Sequence, residues 1–223
     1  MNQCRLLTLL FWSLIIIFKP IIMEADDLAP VFISETISDS LFAKMQGKSY
    51  KENCSVPREE LRHLIVSHYD FNHQPCVGEL VCHRSIADDL LDIFKNLYAA
   101  EYEIEKIKLI DHYDADDELS MSDNNSSSFN YRTVPGTKRL SNHSRGLAID
   151  INPLYNPYVR KLNGKTVISP SQGIRYADRN ANFPHKLSAD DLCVREFKRH
   201  GFTWGGDWTH SKDYQHFEKK TGK

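Results

Sequence analysis

The sequence has little net charge, and this limits the kinds of partner it can be expected to bind. Its 223 residues carry 28 Lys and Arg against 30 Asp and Glu, a formal net charge of −2. Nothing in this balance favours nucleic acid, whose partners usually carry a strong positive excess. An apolar content of 41% excludes a disordered chain. No internal repeat is visible, so the length predicts one compact domain with a short appendage.

The chain also lacks an apolar run that would comfortably span a membrane, which takes about 20 residues. The longest run, residues 6–18, follows Arg5 and precedes a small residue, Ala25. A basic head, a short apolar stretch and a small residue are typical of a secretory signal peptide, which we predict over residues 1–25. The alternative is an uncleaved membrane anchor. We therefore expect an exported protein of the periplasm or cell envelope, or a secreted one.

Cysteines are few, and none shows the C-x-x-C spacing of a zinc-binding motif. Four follow the predicted signal peptide: Cys54, Cys76, Cys82 and Cys193. Export permits disulfides, and four cysteines allow three pairings among which the sequence does not choose. We favour Cys76–Cys82 together with Cys54–Cys193. Buried free thiols are the alternative.

The pattern of apolar residues predicts both helices and strands. Residues 26–56 show no lasting period and are predicted to be an arm. A first helix is predicted over residues 57–69, because Leu61, Leu64 and Ile65 fall on one helical face. The other predicted elements are a strand at Gly78–Val81, a helix at Ser85–Ala100, a strand at Ile104–Ile110, a solvated loop at 111–128, a loop-like region at 154–186, a helix from Ser188 to about His200, and a hairpin of Phe202–Trp208 with Tyr214–Glu218.

The stretch from Ser141 to Pro153 is the most informative part of the sequence. Residues 147–151 alternate with a period of two, so Ile149 and Ile151 are expected to face a core and Asp150 the opposite side. His143 precedes Asp150 by seven residues, and a histidine nitrogen and a carboxylate oxygen suit zinc. Because such a pair is a weak signal by itself, an ordinary loop histidine is the alternative.

The C-terminal part offers a third ligand and a base. His216 would complete a three-ligand site, and a catalytic zinc has three protein ligands and one open position. Asp213 could take a proton during hydrolysis. Residues three apart in a straight strand face opposite ways, so the chain must bend between Asp213 and His216 if both serve one site.

Other polar and aromatic residues are less specific. Arg132 could stabilise an oxyanion or hold a substrate carboxylate, and a surface arginine is the alternative. Trp204, Asp207 and Trp208 could wall a cleft, although aromatic residues more often pack. The acidic residues of 111–128 lack the pattern of a calcium loop. Six histidines are read as structural or exposed: His63, His68, His112, His185, His200 and His210.

These residues together resemble the M15 family of zinc peptidases, which are D-alanyl-D-alanine carboxypeptidases and L-alanyl-D-glutamate endopeptidases. The resemblance rests on Ser141-x-His143-x-x-Gly146-x-Ala148-x-Asp150 followed by Asp213-x-x-His216. Gly-Gly-Asp-Trp at 205–208 and His-Phe-Glu at 216–218 look like the endolysin-like branch. The similarity runs over roughly Tyr69 to Glu218.

The resemblance implies an α+β, Hedgehog/DD-peptidase-like fold over residues 57–223, with a small antiparallel sheet and flanking helices. It implies one Zn²⁺ per chain held by His143, Asp150 and His216, with Asp213 as general base. Arg132 would act on substrate or transition state. The residues expected to bind substrate are Arg132, Asn130, Ser141 and Trp208. The implied activity is hydrolysis of peptidoglycan stem peptides by a monomer, and the alternative is a non-catalytic, zinc-containing binding module.

Overall fold

The structure is a computed structural model that describes residues 29–134 and 136–220. The predicted signal peptide, residues 1–25, lies outside the described residues. The strands are β1 (Phe32–Thr36), β2 (Leu61–Tyr69), β3 (Pro75–His83), β4 (Lys106–Ile107), β5 (Asn125–Ser126), β6 (Ala148–Asp150), β7 (Tyr158–Leu162), β8 (Lys165–Ser169), β9 (Thr203–Trp204), β10 (Ser211–Asp213) and β11 (His216–Glu218). The α-helices are α1 (Asp39–Met45), α2 (Arg84–Ala99), α3 (Asp117–Ser122) and α4 (Leu192–Arg199). Within the described ranges, no helix has the length and apolar character needed to cross a membrane.

The first half of the chain is built on an antiparallel sheet ordered β1-β2-β3, in which β2 and β3 pair along their whole length. The prediction of a helix over residues 57–69 is therefore wrong. Apolar spacings of three and four suggest a helix there, but burial alternates, with Leu64 and Val66 both inaccessible. The adjacent β-branched Ile65 and Val66 also favour a strand.

Part of the segment predicted as an arm, residues 26–56, belongs to the packed fold, so the prediction is wrong for β1 and α1. β1 pairs antiparallel with β2, and α1 buries Leu41 and Met45 against Leu61 and Phe129. β1 alternates only between half-buried and exposed positions. Pairing with β2 stabilises β1 as a strand, and the local sequence pattern does not reveal this pairing.

The helix predicted at Ser85–Ala100 is confirmed by α2, which packs on the β1-β2-β3 sheet. His83 caps it, because its Nδ1 accepts the backbone N–H of Ser85 at 3.1 Å. Its buried residues are Ile86, Ala87, Leu90, Ile93, Phe94 and Leu97. This stripe joins the main core, which α4 and the second half of the chain complete.

A second antiparallel sheet, ordered β6-β11-β9, lies against that core. Ile149, Ile151 and Phe217 are fully buried in it. β9 and β11 pair antiparallel, as predicted, but they do not form a simple hairpin, because a 3₁₀ turn at Gly205–Asp207 and the strand β10 lie between them. The short strand β6 therefore has one face in the core, and its other face is available for polar residues.

A third antiparallel sheet, ordered β10-β7-β8, occupies part of the region predicted as loop. The prediction for residues 154–186 is wrong over β7 and β8. Their turn is Asn163-Gly164, with φ of 50° and 76°. Asn-Gly with positive φ at both residues is the strongest sequence signal for a two-residue hairpin turn. The exposed strands on either side obscure this signal, because they show no apolar alternation.

The four cysteines of the described ranges are free, and Cys82 and Cys193 are fully buried. The favoured disulfide pairing is therefore wrong, and the alternative of buried thiols describes the structure better. Cys76 and Cys82 lie six residues apart on the single strand β3, which separates their Cα atoms by roughly 20 Å. A disulfide needs a separation below about 7 Å.

The remaining elements agree with the sequence in part. Only β4 forms within the predicted strand Ile104–Ile110, paired parallel to β5. The predicted loop 111–128 contains α3, capped by Asp116. The predicted helix from Ser188 is α4, capped by Asp191. The architecture is thus mixed α and β, with small antiparallel sheets and a few helices.

Candidate metal centre and cleft

His143 lies in a tight turn that only glycine can close. The 3₁₀ turn His143–Arg145 ends at Gly146, which has a φ of +66°. A Cβ on Gly146 would lie 2.5 Å from the backbone nitrogen of His83. That nitrogen donates to the Gly146 carbonyl at 2.8 Å. Glycine is therefore required twice, for its conformation and for the close approach of the β3 backbone.

Asp150 and His216 face each other across neighbouring strands. Asp150 ends β6 and lies directly opposite His216, the first residue of β11. The alternation predicted for residues 147–151 is observed, because Ile149 and Ile151 enter the core while Asp150 lies on the other face. Pairing between β6 and β11 thus brings together two residues that are 66 positions apart.

Three potential ligand atoms converge at this point. Asp150 Oδ1 lies 3.0 Å from His216 Nδ1, and Asp150 Oδ2 lies 3.3 Å from His143 Nε2. The two ring nitrogens are 3.1 Å apart. Ligands about 2.0–2.1 Å from a tetrahedral zinc lie roughly 3.3 Å from one another. The spacing of His143, Asp150 and His216 therefore fits a metal ion, and all three side chains are buried.

The other nitrogen of each ring is already occupied. His143 Nδ1 donates to the Ser128 carbonyl at 2.6 Å, and His216 Nε2 donates to Glu218 Oε2 at 3.0 Å. The remaining ring nitrogens, His143 Nε2 and His216 Nδ1, both face the Asp150 carboxylate. Outer partners of this kind orient metal-binding histidines. Metal binding requires deprotonated rings, and three lone pairs would then meet at one point, so the residues present suit a cation.

The charges around the cluster also favour a cation. Burial alone would raise the pKa of Asp150, but the charges and hydrogen bonds of His143 and His216 hold it well below its usual range. Burial opposes a charge on His216, yet hydrogen bonds with Asp150 and Glu218 raise its pKa to about 10. The hydrogen bond from His216 lowers the pKa of Glu218 to about 2. Positive charge is thus stabilised at this position.

Asp213 approaches the cluster through the predicted bend. It ends β10, which pairs with β7, whereas β11 pairs with β6 in another sheet. Its Oδ1 is buried without a hydrogen-bond partner among the described residues. Burial raises the pKa of Asp213 to about 7. The charge of His216 opposes this rise, and the negative charge of Asp150 adds to it. A Cβ on Gly205 would lie 2.4 Å from the Asp213 carbonyl oxygen, so glycine permits this packing.

The cluster opens into a cleft of about 750 Å³. Its walls come from the β7–β8 hairpin, α3, Arg132, Val134, residues 139–142 and Trp208. The predicted site residues that line it are His143, Asp150, Asp213, His216, Arg132, Ser141 and Trp208. A cleft of this size suits a short peptide or another small ligand. Trp204 and Asp207, also considered as walls, are not among its lining residues.

Arg132 and Asn130 have different positions. The Arg132 guanidinium lines the cleft, and its Nε pairs with the Asp117 carboxylate. Asn130 is buried and does not line the cleft, which corrects its predicted role as a substrate ligand. Its amide donates to the Ala115 carbonyl and to Asp117 Oδ1, at 3.1 and 2.8 Å. Asn130 therefore holds the carboxylate that pairs with Arg132.

The six histidines read from the sequence as structural or exposed lie outside the cluster. His63 and His68 are on β2, not on a helix. His68 is buried, and its Nδ1 donates to the Ile104 carbonyl at 2.9 Å. Among the described residues, His143, Asp150 and His216 are the one group of at least three such side chains spaced to hold a metal. This agrees with reading the six as structural or exposed.

Comparison with known families adds an independent observation. Residues 135–219 match an M15 peptidase family model described as D-alanyl-D-alanine carboxypeptidase. The resemblance to the M15 peptidases is confirmed. The match supports a peptidase, and it contains the whole His143, Asp150, Asp213 and His216 set. No solved structure matches the chain. Arg132 and all elements from β1 to β5 lie before the M15 match.

Three residues near the site were not assigned a role from the sequence. Glu218 follows His216 by two positions on β11, so strand alternation could have placed it on the same face. Asp117 gave no such signal, because its approach to Arg132 depends on how α3 packs. Arg160 lines the cleft from β7, within a segment predicted as loop.

Proposed function

We propose that this protein is a zinc-dependent peptidase that hydrolyses a peptide bond in peptidoglycan stem peptides during cell-wall remodelling. The bond is D-Ala-D-Ala, as in a carboxypeptidase, or L-Ala-D-Glu, as in an endopeptidase. The observation that carries the proposal is the convergence of His143, Asp150 and His216 at the floor of an open cleft that also contains Asp213. We further propose a Hedgehog/DD-peptidase-like fold, export from the cytoplasm and action as a monomer.

The residues divide the chemistry between them. His143, Asp150 and His216 would hold one zinc ion, which when bound supplies Lewis acidity toward the scissile carbonyl and the attacking water. Asp213 takes the proton from that water and passes it to the leaving amine. Arg132, lining the same cleft, stabilises the developing oxyanion. Ser141 and Trp208 border the substrate, and the Ser141 hydroxyl accepts the His143 backbone N–H at 3.3 Å.

The second candidate is a binding module of the same fold that keeps zinc for structure and holds wall peptides or a protein. Such a module has no need of a base beside an open cleft. Asp213 is buried at Oδ1 with no partner among the described residues, and Asn130 and Asp117 position Arg132. These costly arrangements favour catalysis.

The test combines metal analysis with digestion of peptidoglycan. Zinc is measured in the purified protein, and peptides released from peptidoglycan are identified by mass spectrometry. We expect about one zinc per chain and release that is lost in Asp213→Ala. His216→Ala should lose zinc, while His210→Ala, an exposed histidine outside the cluster, should keep it. Absence of zinc would refute the proposal, and zinc without cleavage would favour the binding module.

A further inference from the structure

Arg160 lines the cleft from β7, the strand that pairs with β10 and its residue Asp213. Tyr158 and Arg160 both line the cleft from β7, and residues two apart on a strand share a face. Tyr158 is directly opposite Asp213 on β10. At about 3.3 Å per residue, the Cα of Arg160 is roughly 6.6 Å along the strand from that position. Arg160 is therefore close to the cluster without belonging to it.

The guanidinium of Arg160 has no acceptor within the described part of the chain. Its Nε is buried and makes no hydrogen bond, and the nearby aromatic contact is with the Tyr158 ring, 5.9 Å from Cζ. Its cross-strand neighbours, Val167 on β8 and Ser211 on β10, carry no charge. A buried donor without an acceptor destabilises a protein. A ligand that brings an acceptor into the cleft would remove this cost.

Arg160 differs from the other arginines of the cleft in lacking an anionic partner among the described residues. Arg132 also has a buried Nε without a well-formed hydrogen bond, but its guanidinium forms an ion pair with Asp117. Arg139 is exposed to solvent, so water can satisfy its guanidinium. Arg160 thus combines a position in the cleft, a buried donor and the absence of an anionic partner. These properties identify an anion as the missing ligand, and a planar carboxylate fits a guanidinium best.

We propose that Arg160 binds a free carboxylate of the peptide substrate and makes the site selective for anionic peptides. The inference rests on the proposed peptidase function. Successive substrate residues advance by at most about 3.6 Å, so Arg160 can reach a carboxylate one or two residues from the scissile bond. An acidic peptide offers such a group at its C-terminus and on a glutamate. The test distinguishes these two sources.

The kinetic test uses three synthetic peptides. The first is L-Ala-γ-D-Glu-L-Lys-D-Ala-D-Ala, the second is its C-terminal amide, and the third carries D-isoglutamine in place of D-glutamate. Arg160→Met keeps the apolar stem and removes the charge. We expect it to raise KM roughly tenfold to a hundredfold for the first peptide, with little change in kcat. One of the two amidated peptides lacks the carboxylate that Arg160 contacts. For that peptide, wild type and Arg160→Met should have the same KM.

Two further variants separate charge, geometry and folding. Arg160→Lys keeps the charge but loses the planar fork, so its KM should lie between wild type and Arg160→Met. Arg175→Met is the matched control, because Arg175 also lies over a tyrosine ring, at 4.8 Å from Tyr176, but outside the cleft lining. Melting temperatures and zinc contents equal to those of the wild type, in both Met variants, would show that folding is intact. A change in Arg175→Met equal to that in Arg160→Met would overturn the proposal.

Binding measured by calorimetry provides a readout that does not need turnover. In an Asp213→Asn background, Arg160→Met should weaken binding of the first peptide by the same factor as in KM. If Arg160→Met affects all three peptides equally, or none, no carboxylate is recognised by Arg160 and the inference is wrong. If the wild type hydrolyses no peptide, the proposed function fails instead, and calorimetry still decides whether Arg160 binds a carboxylate.

Discussion

Each histidine of the cluster uses one ring nitrogen for the protein and leaves the other for a ligand. For His143 the outer partner is the backbone carbonyl of Ser128, which is neutral. For His216 it is the carboxylate of Glu218, which also accepts from Asn142 at 2.6 Å. A charged partner raises the basicity of the ring more than a neutral one. Glu218 is therefore the side chain whose removal should weaken the metal site without removing a ligand.

Replacing Glu218 by Gln should lower the affinity for zinc by roughly tenfold to a hundredfold, the usual cost of losing an outer carboxylate. The shape is kept, so the fold should remain intact. Competition with a chromogenic chelator measures the affinity. Glu196→Gln is the control. Glu196 forms an ion pair with Arg199, with a nitrogen–oxygen distance of 2.6 Å, and neither residue lines the cleft. Equal zinc affinity in the two variants would show that Glu218 has no part in the site.

Gly146 allows a second prediction about a single position. Gly146→Ala combines a positive φ with a Cβ placed 2.5 Å from the His83 nitrogen. Gly164 has a φ of +76° and nothing within 4 Å, so its alanine variant tests strain alone. We expect Gly164→Ala to lower the free energy of unfolding by about 1–2 kcal/mol and Gly146→Ala by clearly more. Urea unfolding measures both, and equal losses would contradict the close approach.

Among the strands and helices, those with a strong pattern of their own were predictable. β6 and α2 each bury one face completely, so alternation and helical periodicity identify them. β1, β7 and β8 are half-buried or exposed, and pairing with neighbouring strands stabilises them. The apolar residues of β2 fit both the helical and the strand period, so the sequence alone favours a helix there. Local patterns fail where pairing, and not burial of one face, stabilises the element.

The packing of α1 gives a prediction that separates an arm from a structural element. Met45 has 0% exposure and packs with Leu61 and Phe129. Met45→Ala should lower the free energy of unfolding by about 2–5 kcal/mol, through lost burial and a residual cavity. Lys44→Ala, an exposed neighbour on the same helix, should change it by less than about 0.5 kcal/mol. Chemical denaturation measures both, and an unchanged Met45→Ala protein would restore the arm interpretation.

In the molecule as a whole, two of the sheets, β6-β11-β9 and β10-β7-β8, contribute separately to one cleft. The ligands of the cluster were predictable because each occurs in a short motif with a fixed order, His143 to Asp150 and then Asp213 to His216. The cleft walls were not, because Arg160 and Asp117 reach the cleft only when the β10-β7-β8 sheet and α3 pack beside β6 and β11. Sequence patterns report the periodicity of one segment, and they do not report how separate segments meet.

Metal removal tests the connection between the cluster and overall stability. An ion that binds only the folded state adds about 2.7 kcal/mol at one hundred times its dissociation constant. Because the cluster joins β6, β11 and the turn of His143, we expect a chelator to lower the melting temperature of the wild type. In His143→Ala, which lacks a ligand, the chelator should have little effect. His210→Ala should respond as the wild type does, and a wild-type melting temperature that is unchanged by chelation would mean that no metal occupies the cluster.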